Sequence, residues 1–402
     1  MSQRPRILIV CAGLRIGGVE RSLLGLLDAL SPNQCEVTLF LHSHDGEFMS
    51  LLPRWVRLLP LEPAYADLDR PVVDVLFRRP SIALARLAAK LVTGIKSRCL
   101  GVHGALLPRS VRYCRPFLPV ISGKYDLALS FLTPHDIVLR HVSASRKAGW
   151  IHTDYTSVET GVDTAFEAGA WAPLDNIVAV SGDVARTFAQ VFPSLRGKIS
   201  VIENVLSPGL VRQQAASADV SAEMPVPEGG VRLCSVGRFT HAKGFDLAAE
   251  ACHRLVALGV SLRWFFIGYG PEEASLRATV ARLGIQDQFV ILGRRTNPYP
   301  YMAACDLYVQ PSRYEGKAVT VREAQILGRP VLITDYPTAR SQIQHGIDGY
   351  ITPLGVDGLV EGIRALVADH GLRARLAAEA GARPYGNESE VEKIYALCPR
   401  AS

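Results

Sequence analysis

The chain has 402 residues, is 48% hydrophobic and carries a formal net charge of +6, which predicts two or three domains with real cores. No run reaches the roughly 18 apolar residues of a spanning helix. Eight scattered cysteines without a C-x2-C spacing speak against a zinc or disulfide framework, so reduced, packed thiols in a cytoplasmic protein are expected.

RILIVCAG reads as a first buried strand, because its apolar run breaks at Gly13, too soon for a secretory signal. VERSLLGLLDAL follows, apolar every three or four residues as in a helix, and CEVTLFLH is the next strand. Gly17 and Gly18 open the helix. Without side chains they let backbone N–H groups approach a phosphate or an acceptor hydroxyl, and a plain strand-to-helix turn accounts for them equally well. Glu20 on the first turn suits the helix dipole.

From Val75 to Tyr125 there is no acid, but Arg78, Arg79, Arg86, Lys90, Lys96, Arg98, Arg109, Arg112, Arg115 and Lys124 all fall there. In SIALARLAAKLVTGIKSRCLG these bases mix with apolar residues at helical spacing, the pattern of a surface that lies on anionic lipid. A solvated basic face is the plainer reading. No aromatic residues interleave as stacking platforms, so nucleic acid is not expected as a partner.

YDLALSF, RKAGWIH and DNIVAVS read as buried strands, GDVARTFAQVF as the helix after the last, and KISVIENV closes this half. The stretch from about Ser207 to Gly230 is rich in Ser, Ala, Pro and Gly, lacks periodicity and reads as a linker. VRLCSVG, SLRWFFIG, QFVILG, CDLYVQPS, PVLITD and DGYITP are strands of a second unit, with helices between them. Strand and helix alternate throughout, so the fold class is α/β, with two doubly wound Rossmann-like domains. They are expected over 1–205 and 206–383, with the tail 384–402 returning to the first. Ligands of such sheets bind beyond the carboxyl ends of the strands, which makes the interdomain cleft the expected site.

Three patterns in the second half carry chemistry. SVGRFTHAKGFD places Arg238 and Lys243 just after a strand, a planar fork and a mobile point charge suited to a departing diphosphate. FFIGYGPEEASL stops a strand at a glycine turn and opens a helix. SRYEGKAVTVREAQILGRP holds Glu315 and Glu323 with seven residues between them, the second one turn inside a helix. No D-x-D is flanked by strands to hold a metal. GYG and GLRIGG do not fit G-x-G-x-x-G with an acid about twenty positions on, which leaves a dinucleotide oxidoreductase poorly supported.

GLRIGGVERSLL, GWIHTDY, VIENV, SVGRFTHAKGFD and the glutamate pair, in this order, resemble a GT-B glycosyltransferase of glycosyltransferase family 4. That is a retaining, nucleotide-sugar-dependent family, and the resemblance is to its bacterial cell-surface polysaccharide members. It implies hexosyl transfer from a nucleotide-diphosphate sugar, UDP rather than GDP, to a lipid-linked or saccharide acceptor, with no cofactor and no metal. Arg238, Lys243, Glu315 and His152 would be catalytic. Glu323 would accept from the ribose diol, and the backbone of Lys317, Ala318 and Val319 would face the diphosphate. Arg294 would meet the base through its backbone, and Gly17 and Gly18 would complete the donor contacts. Many relatives have glycine and phenylalanine where this chain has Lys317 and Ala318, a departure that bears on sugar specificity. Asn204 resembles the asparagine at the interdomain crossing. Asp154 would orient His152 or contact the acceptor, and a helix N-cap for the segment after Tyr155 accounts for it equally well. With its packed thiols and basic amphipathic segment, the protein is expected in the cytoplasm, peripheral to the inner face of the membrane through 75–125. A GT-B sugar-nucleotide epimerase and a non-catalytic GT-B subunit of a membrane assembly complex are the alternatives.

Overall fold

The computed structural model describes residues 4–100, 106–132, 134–153, 155 and 164–399. The chain divides into two compact units, one of Met1–Arg15, Val19–Val205 and Glu388–Ser402, the other of Ile16–Gly18 and Leu206–Asn387.

The first unit is built on seven strands: β1 (Arg6–Cys11), β2 (Glu36–Leu41), β3 (Arg57–Leu58), β4 (Ile121–Ser130), β5 (Val142–Ile151), β6 (Asn176–Ala179) and β7 (Ile199–Val201). They pair in the order β3-β2-β1-β4-β5-β6-β7. The second unit has six: β8 (Val231–Val236), β9 (Leu262–Ile267), β10 (Phe289–Gly293), β11 (Leu307–Gln310), β12 (Val331–Thr334) and β13 (Tyr350–Thr352), in the order β10-β9-β8-β11-β12-β13. The pairings are parallel in both sheets. Each sheet therefore reverses direction once, between β1 and β4 and between β8 and β11. These are the switch points at which doubly wound sheets take ligands. The α/β reading of two doubly wound units holds.

The central strands are near-continuous apolar runs because helices cover both faces. β1 buries every residue after Arg6, and β11 buries all four of its residues. Helix starts follow local chemistry: Ser181 Oγ accepts the Val184 N–H at 3.1 Å and caps Gly182–Val191. Two sequence expectations need correction. The two-residue strand β3 escaped notice because RLLPLEP is too short and too proline-flanked to show a period. The Ser207–Gly230 stretch is not a bare linker. Ser207 caps, and Pro208 opens, the helix Pro208–Ala215, and Val211, Val220 and Met224 are buried in the core of the second unit. Its small-residue composition hid the S-P helix start.

The 75–125 segment forms the helices Val72–Arg78, Pro80–Leu100 and Leu106–Cys114. It is less basic outside than its composition suggests. Arg79 pairs with the buried Asp67 at 2.5 Å, and Arg86 donates to Asp67 O at 2.7 Å. Arg109 is buried, and Arg112 meets Asp136 at 3.5 Å and lies 3.9 Å over the Phe166 ring. These four serve the unit's own packing, so the basic surface expected of this segment is narrower than its composition implies. Arg78, Lys90, Arg98 and Lys124 are exposed. Along the same helices Val73, Phe77, Leu84, Leu87, Leu91 and Ile95 are exposed as well, Phe77 at 86% and Leu91 at 66%. Among the described residues no helix is long and apolar enough to cross a membrane. All eight cysteines are free thiols, Cys99 alone exposed.

Candidate active site

The carboxyl ends of β8 and β11, side by side at the second switch point, deliver the residues of interest. After β8 the chain runs through Gly237 and Arg238 to the short 3-10 turn His241–Lys243, which ends on Gly244 in the left-handed region (φ 64°). A Cβ at Gly244 would fall 2.1 Å from Pro311 O, so only glycine lets this turn press against the segment that follows β11. The loop after β9 is held to it in the same way. Phe239 N–H bonds Tyr269 O at 2.9 Å, and a Cβ at Gly268 (φ 149°) would strike Gly237 O. The GYG glycines thus serve loop packing beside Arg238.

That approach brings two distant positions into contact. Lys243 Nζ lies 2.5 Å from Glu315 Oε1. The same oxygen accepts from Ser312 Oγ at 2.6 Å and Gln310 Nε2 at 3.1 Å. Gln310 is itself fixed, its Oε1 accepting from Tyr308 Oη at 2.8 Å and Thr320 Oγ1 at 3.1 Å. Glu315 is therefore a carboxylate locked by three donors on one oxygen, with charge-assisted bonds that outlast neutral ones. Lys243 keeps two further N–H donors for a ligand. Arg313 reinforces the turn with paired bonds to Asp246 at 2.8 and 2.7 Å. Burial pushes the Asp246 carboxyl up, but the Arg313 bonds and charge outweigh it and hold it below its usual value. Arg238 is exposed.

The helix Val319–Ile326 starts at Ala318. Here the expectations change. The Ala318 N–H is taken by Gln342 Oε1 at 3.1 Å, and Gln342 Nε2 returns a bond to Ala318 O at 3.0 Å. Ala318 N–H is thus not offered to a diphosphate, because a side-chain amide closes the helix start in place of a capping residue. Glu323 is wholly buried, with Oε1 accepting from Tyr299 Oη at 2.7 Å. The expected ribose contact has no solvent-facing oxygen in this structure, since one turn into this helix points at the core. Lys317 is half-buried and Val319 buried. Arg294 is exposed, its guanidinium 4.3 Å over the Tyr269 ring.

In the first unit His152 follows β5. Its Nε2 lies 2.9 Å from Phe131 O, which fixes the Nε2–H tautomer because a carbonyl only accepts. Nδ1 then carries the lone pair. Trp150 stacks parallel to the ring and Phe131 tilts against it at 5.0 Å. Desolvation among these neighbours pushes the imidazole down to about 4 despite the carbonyl bond, so it is neutral at pH 7. His135, on the loop after β4, bonds Ser130 Oγ at 2.8 Å and is pushed by burial to about 3. Asp154 lies outside the described residues. Gly18 begins the helix Gly18–Ala29, and a Cβ there would meet nothing within 4 Å. Gly17 and Gly18 group with the second unit. Asn204 Oδ1 accepts from Ser22 Oγ at 2.5 Å, so it ties that helix to the segment after β7.

Sequence reasoning missed Gln310, Ser312, Gln342 and Tyr299. A polar Gln-Pro-Ser at the end of the apolar run LYV was the visible signal for the first two. Gln342 and Tyr299 had none, since their partners lie 24 positions away.

The chain is similar to known proteins. Residues 218–383 match the family described as glycosyl transferases group 1. LpsE, a lipopolysaccharide core biosynthesis glycosyltransferase of Rhizobium meliloti, is 31% identical over 182 residues, 45% of this chain and 51% of that protein. LpsB, a lipopolysaccharide core biosynthesis mannosyltransferase of the same organism, is 25% identical over 247 residues, 60% of this chain and 64% of that one. The chain spans about half the length of the curated relatives it matches. Among solved structures, HepE of Anabaena in complex with UDP and glucose superposes with a TM-score of 0.69 at 17% identity, over 98% of both chains. The fold is GT-B, and the segment that matches the group 1 model lies within the second unit.

Proposed function

We propose that the protein is a retaining glycosyltransferase of family 4 that moves a sugar from a UDP-sugar to a saccharide or lipid-linked acceptor in cell-surface polysaccharide synthesis. The observation that carries this reading is the Lys243–Glu315 pair, locked at the switch point of the sheet inside the segment that matches group 1. The bond from the anomeric carbon to the diphosphate oxygen breaks, and Arg238 with the two remaining Lys243 donors takes up the charge that develops there. Glu315 holds Lys243 in place and presents Oε2, which has no donor among the described residues, toward the sugar. An acceptor hydroxyl attacks from the same face, its proton passing to the departing phosphate oxygen, so configuration is retained. Lys317 and Val319 offer backbone groups to the diphosphate, Arg294 meets the base through its backbone, and Gly17 and Gly18 leave room for close approach. His152 acts neutral, its Nδ1 accepting from a sugar hydroxyl. No metal is called for, because the cations are side chains. The relatives named for lipopolysaccharide core biosynthesis and the neighbour bound to UDP support the donor and acceptor classes.

The exposed stripe from Val73 to Ile95, flanked by Arg78, Lys90 and Arg98, supports docking of the first unit on an anionic membrane at its inner, cytoplasmic face. Insertion of apolar side chains then contributes more than the ten-base count would suggest.

A thermal-shift panel of nucleoside diphosphates and their sugars tests the donor. A ligand at one hundred times its Kd stabilises by about 2.7 kcal/mol. UDP should shift the transition, and UDP should be released from UDP-sugar only when acceptor is added, in EDTA as in buffer. Turnover of the sugar nucleotide without acceptor would favour an epimerase, and loss in EDTA restored by magnesium would overturn the side-chain electrostatics.

A further inference from the structure

At the end of the first sheet opposite His152, the amino ends of β1, β2 and β4 and the strand β3 wall a cavity of about 340 Å3. Small-molecule sites run from about 300 to 1,000 Å3. Its wall carries Arg4, Arg6, Arg57 and Lys124 against a single carboxylate, Glu36. Arg4 is committed to that carboxylate at 3.4 Å and to Pro32 O. Arg6 gives Asp126 its backbone N–H at 2.7 Å rather than its side chain. Among the described residues, the side chains of Arg6, Arg57 and Lys124 have no carboxylate in ion-pair contact. Three uncompensated cations thus face one concavity.

The backbone is shaped to hold them there. β4 shifts register between Ile121 and Lys124, the kind of bulge that re-aims a side chain. Gly123 sits in that bulge at φ 109°, and a Cβ on it would fall 2.6 Å from Tyr125 Oη, so only glycine lets Lys124 and the phenol line the same wall. Burial pushes the Tyr125 phenol up, while Thr38, Arg57 and Arg6 hold it back, which places both guanidiniums near the phenol. The half-buried Trp55 indole supplies a flat apolar wall.

We propose that this cavity binds a phosphomonoester, its oxygens on Arg6, Arg57 and Lys124 and its organic part against Trp55. Arg57 offers a fork that matches phosphate oxygens, and Lys124 a point charge. The site is separate from the diphosphate site of the second unit and does not depend on the reading of that site. A soluble phosphorylated compound and a phospholipid headgroup present the same chemistry.

The full chain is titrated with glycerol 3-phosphate, and separately with neutral vesicles doped with phosphatidic acid, at constant ionic strength. Trp55 fluorescence is read against a Trp55→Phe blank, with calorimetry as a second readout. Saturable binding of glycerol 3-phosphate is expected, weakened at least tenfold in Arg57→Gln/Lys124→Gln and less in Arg57→Lys, which keeps the charge but loses the fork. Competition by the doped vesicles identifies the headgroup as the source of the phosphate, and indifference to them identifies a soluble ligand. No saturable response by either readout beyond that of sodium chloride overturns the proposal, as does equal affinity in the double variant.

Discussion

The two sheets share one strand order, yet their carboxyl ends carry opposite chemistry. Beyond β4 and β5 stand neutral imidazoles packed on aromatic rings: His152 against Trp150 and Phe131, and His135 with its ring centroid 4.0 Å from that of Trp171. Beyond β8 and β11 stands a charged network, Lys243 and Glu315 with Gln310 and Ser312. Topology places both clusters beyond carboxyl ends of strands, and the loops decide which charge stands there. A leaving diphosphate needs fixed cations. A hydroxyl-rich partner needs neutral acceptors that stay neutral.

Acid should separate the two units most strongly. His42, His135 and His152 all belong to the first unit and are pushed by burial to about 4, about 3 and about 4. Their folded values lie below the unfolded value of about 6.5, so the unfolded chain binds the extra protons. Their contribution is complete above pH 6.5 and is lost as pH falls toward 4. Each pKa unit is worth about 1.36 kcal/mol, hence about 3 kcal/mol for a buried imidazole such as His42. In the second unit Asp246, held low by Arg313, loses its contribution only below the ordinary carboxylate range. Hydrogen-exchange protection at pH 7 and pH 5, corrected for intrinsic rates, should fall first in peptides of the first unit. Equal loss in both would erase the contrast.

Next in size is the charge on the second unit. Arg238→Ala should lower the transfer rate on the order of a hundredfold, about 3 kcal/mol, without changing the melting temperature. Parent-like turnover at saturating donor would remove Arg238 from the site. Glu323→Ala is expected to differ from it by also lowering stability, because the carboxylate is buried against Tyr299.

The exposed stripe offers an effect of similar size, confined to the first unit. Each apolar side chain of this size contributes about 1.5–3 kcal/mol when buried. Phe77→Asp with Leu91→Asp should therefore abolish cosedimentation with anionic vesicles while leaving the affinity for UDP intact. Retained vesicle binding would return the segment to a solvated face.

Smallest is Ser312→Ala, which removes one of three donors to Glu315 at a cost of about 1 kcal/mol. It should lower kcat with KM nearly unchanged, and an unchanged kcat would show that Lys243 and Gln310 suffice to position the carboxylate.

Local composition displayed the α/β layering and the strands of both sheets other than β3, since a buried parallel strand is an apolar run. It also showed Arg238, Lys243 and Glu315 as polar residues beyond strand ends, because such residues interrupt apolar runs. It did not determine which of the chain's charges are spent inside the fold. Arg79 and Arg86 turn to a buried Asp67, Gln342 closes the start of the helix that follows Glu315, and Glu323 faces Tyr299. Each of these pairs joins elements that only the packed structure brings together, and no local period records them. Tertiary structure alone decided them, because pairing a buried polar group depends on what lies across the core rather than on its neighbours in the chain.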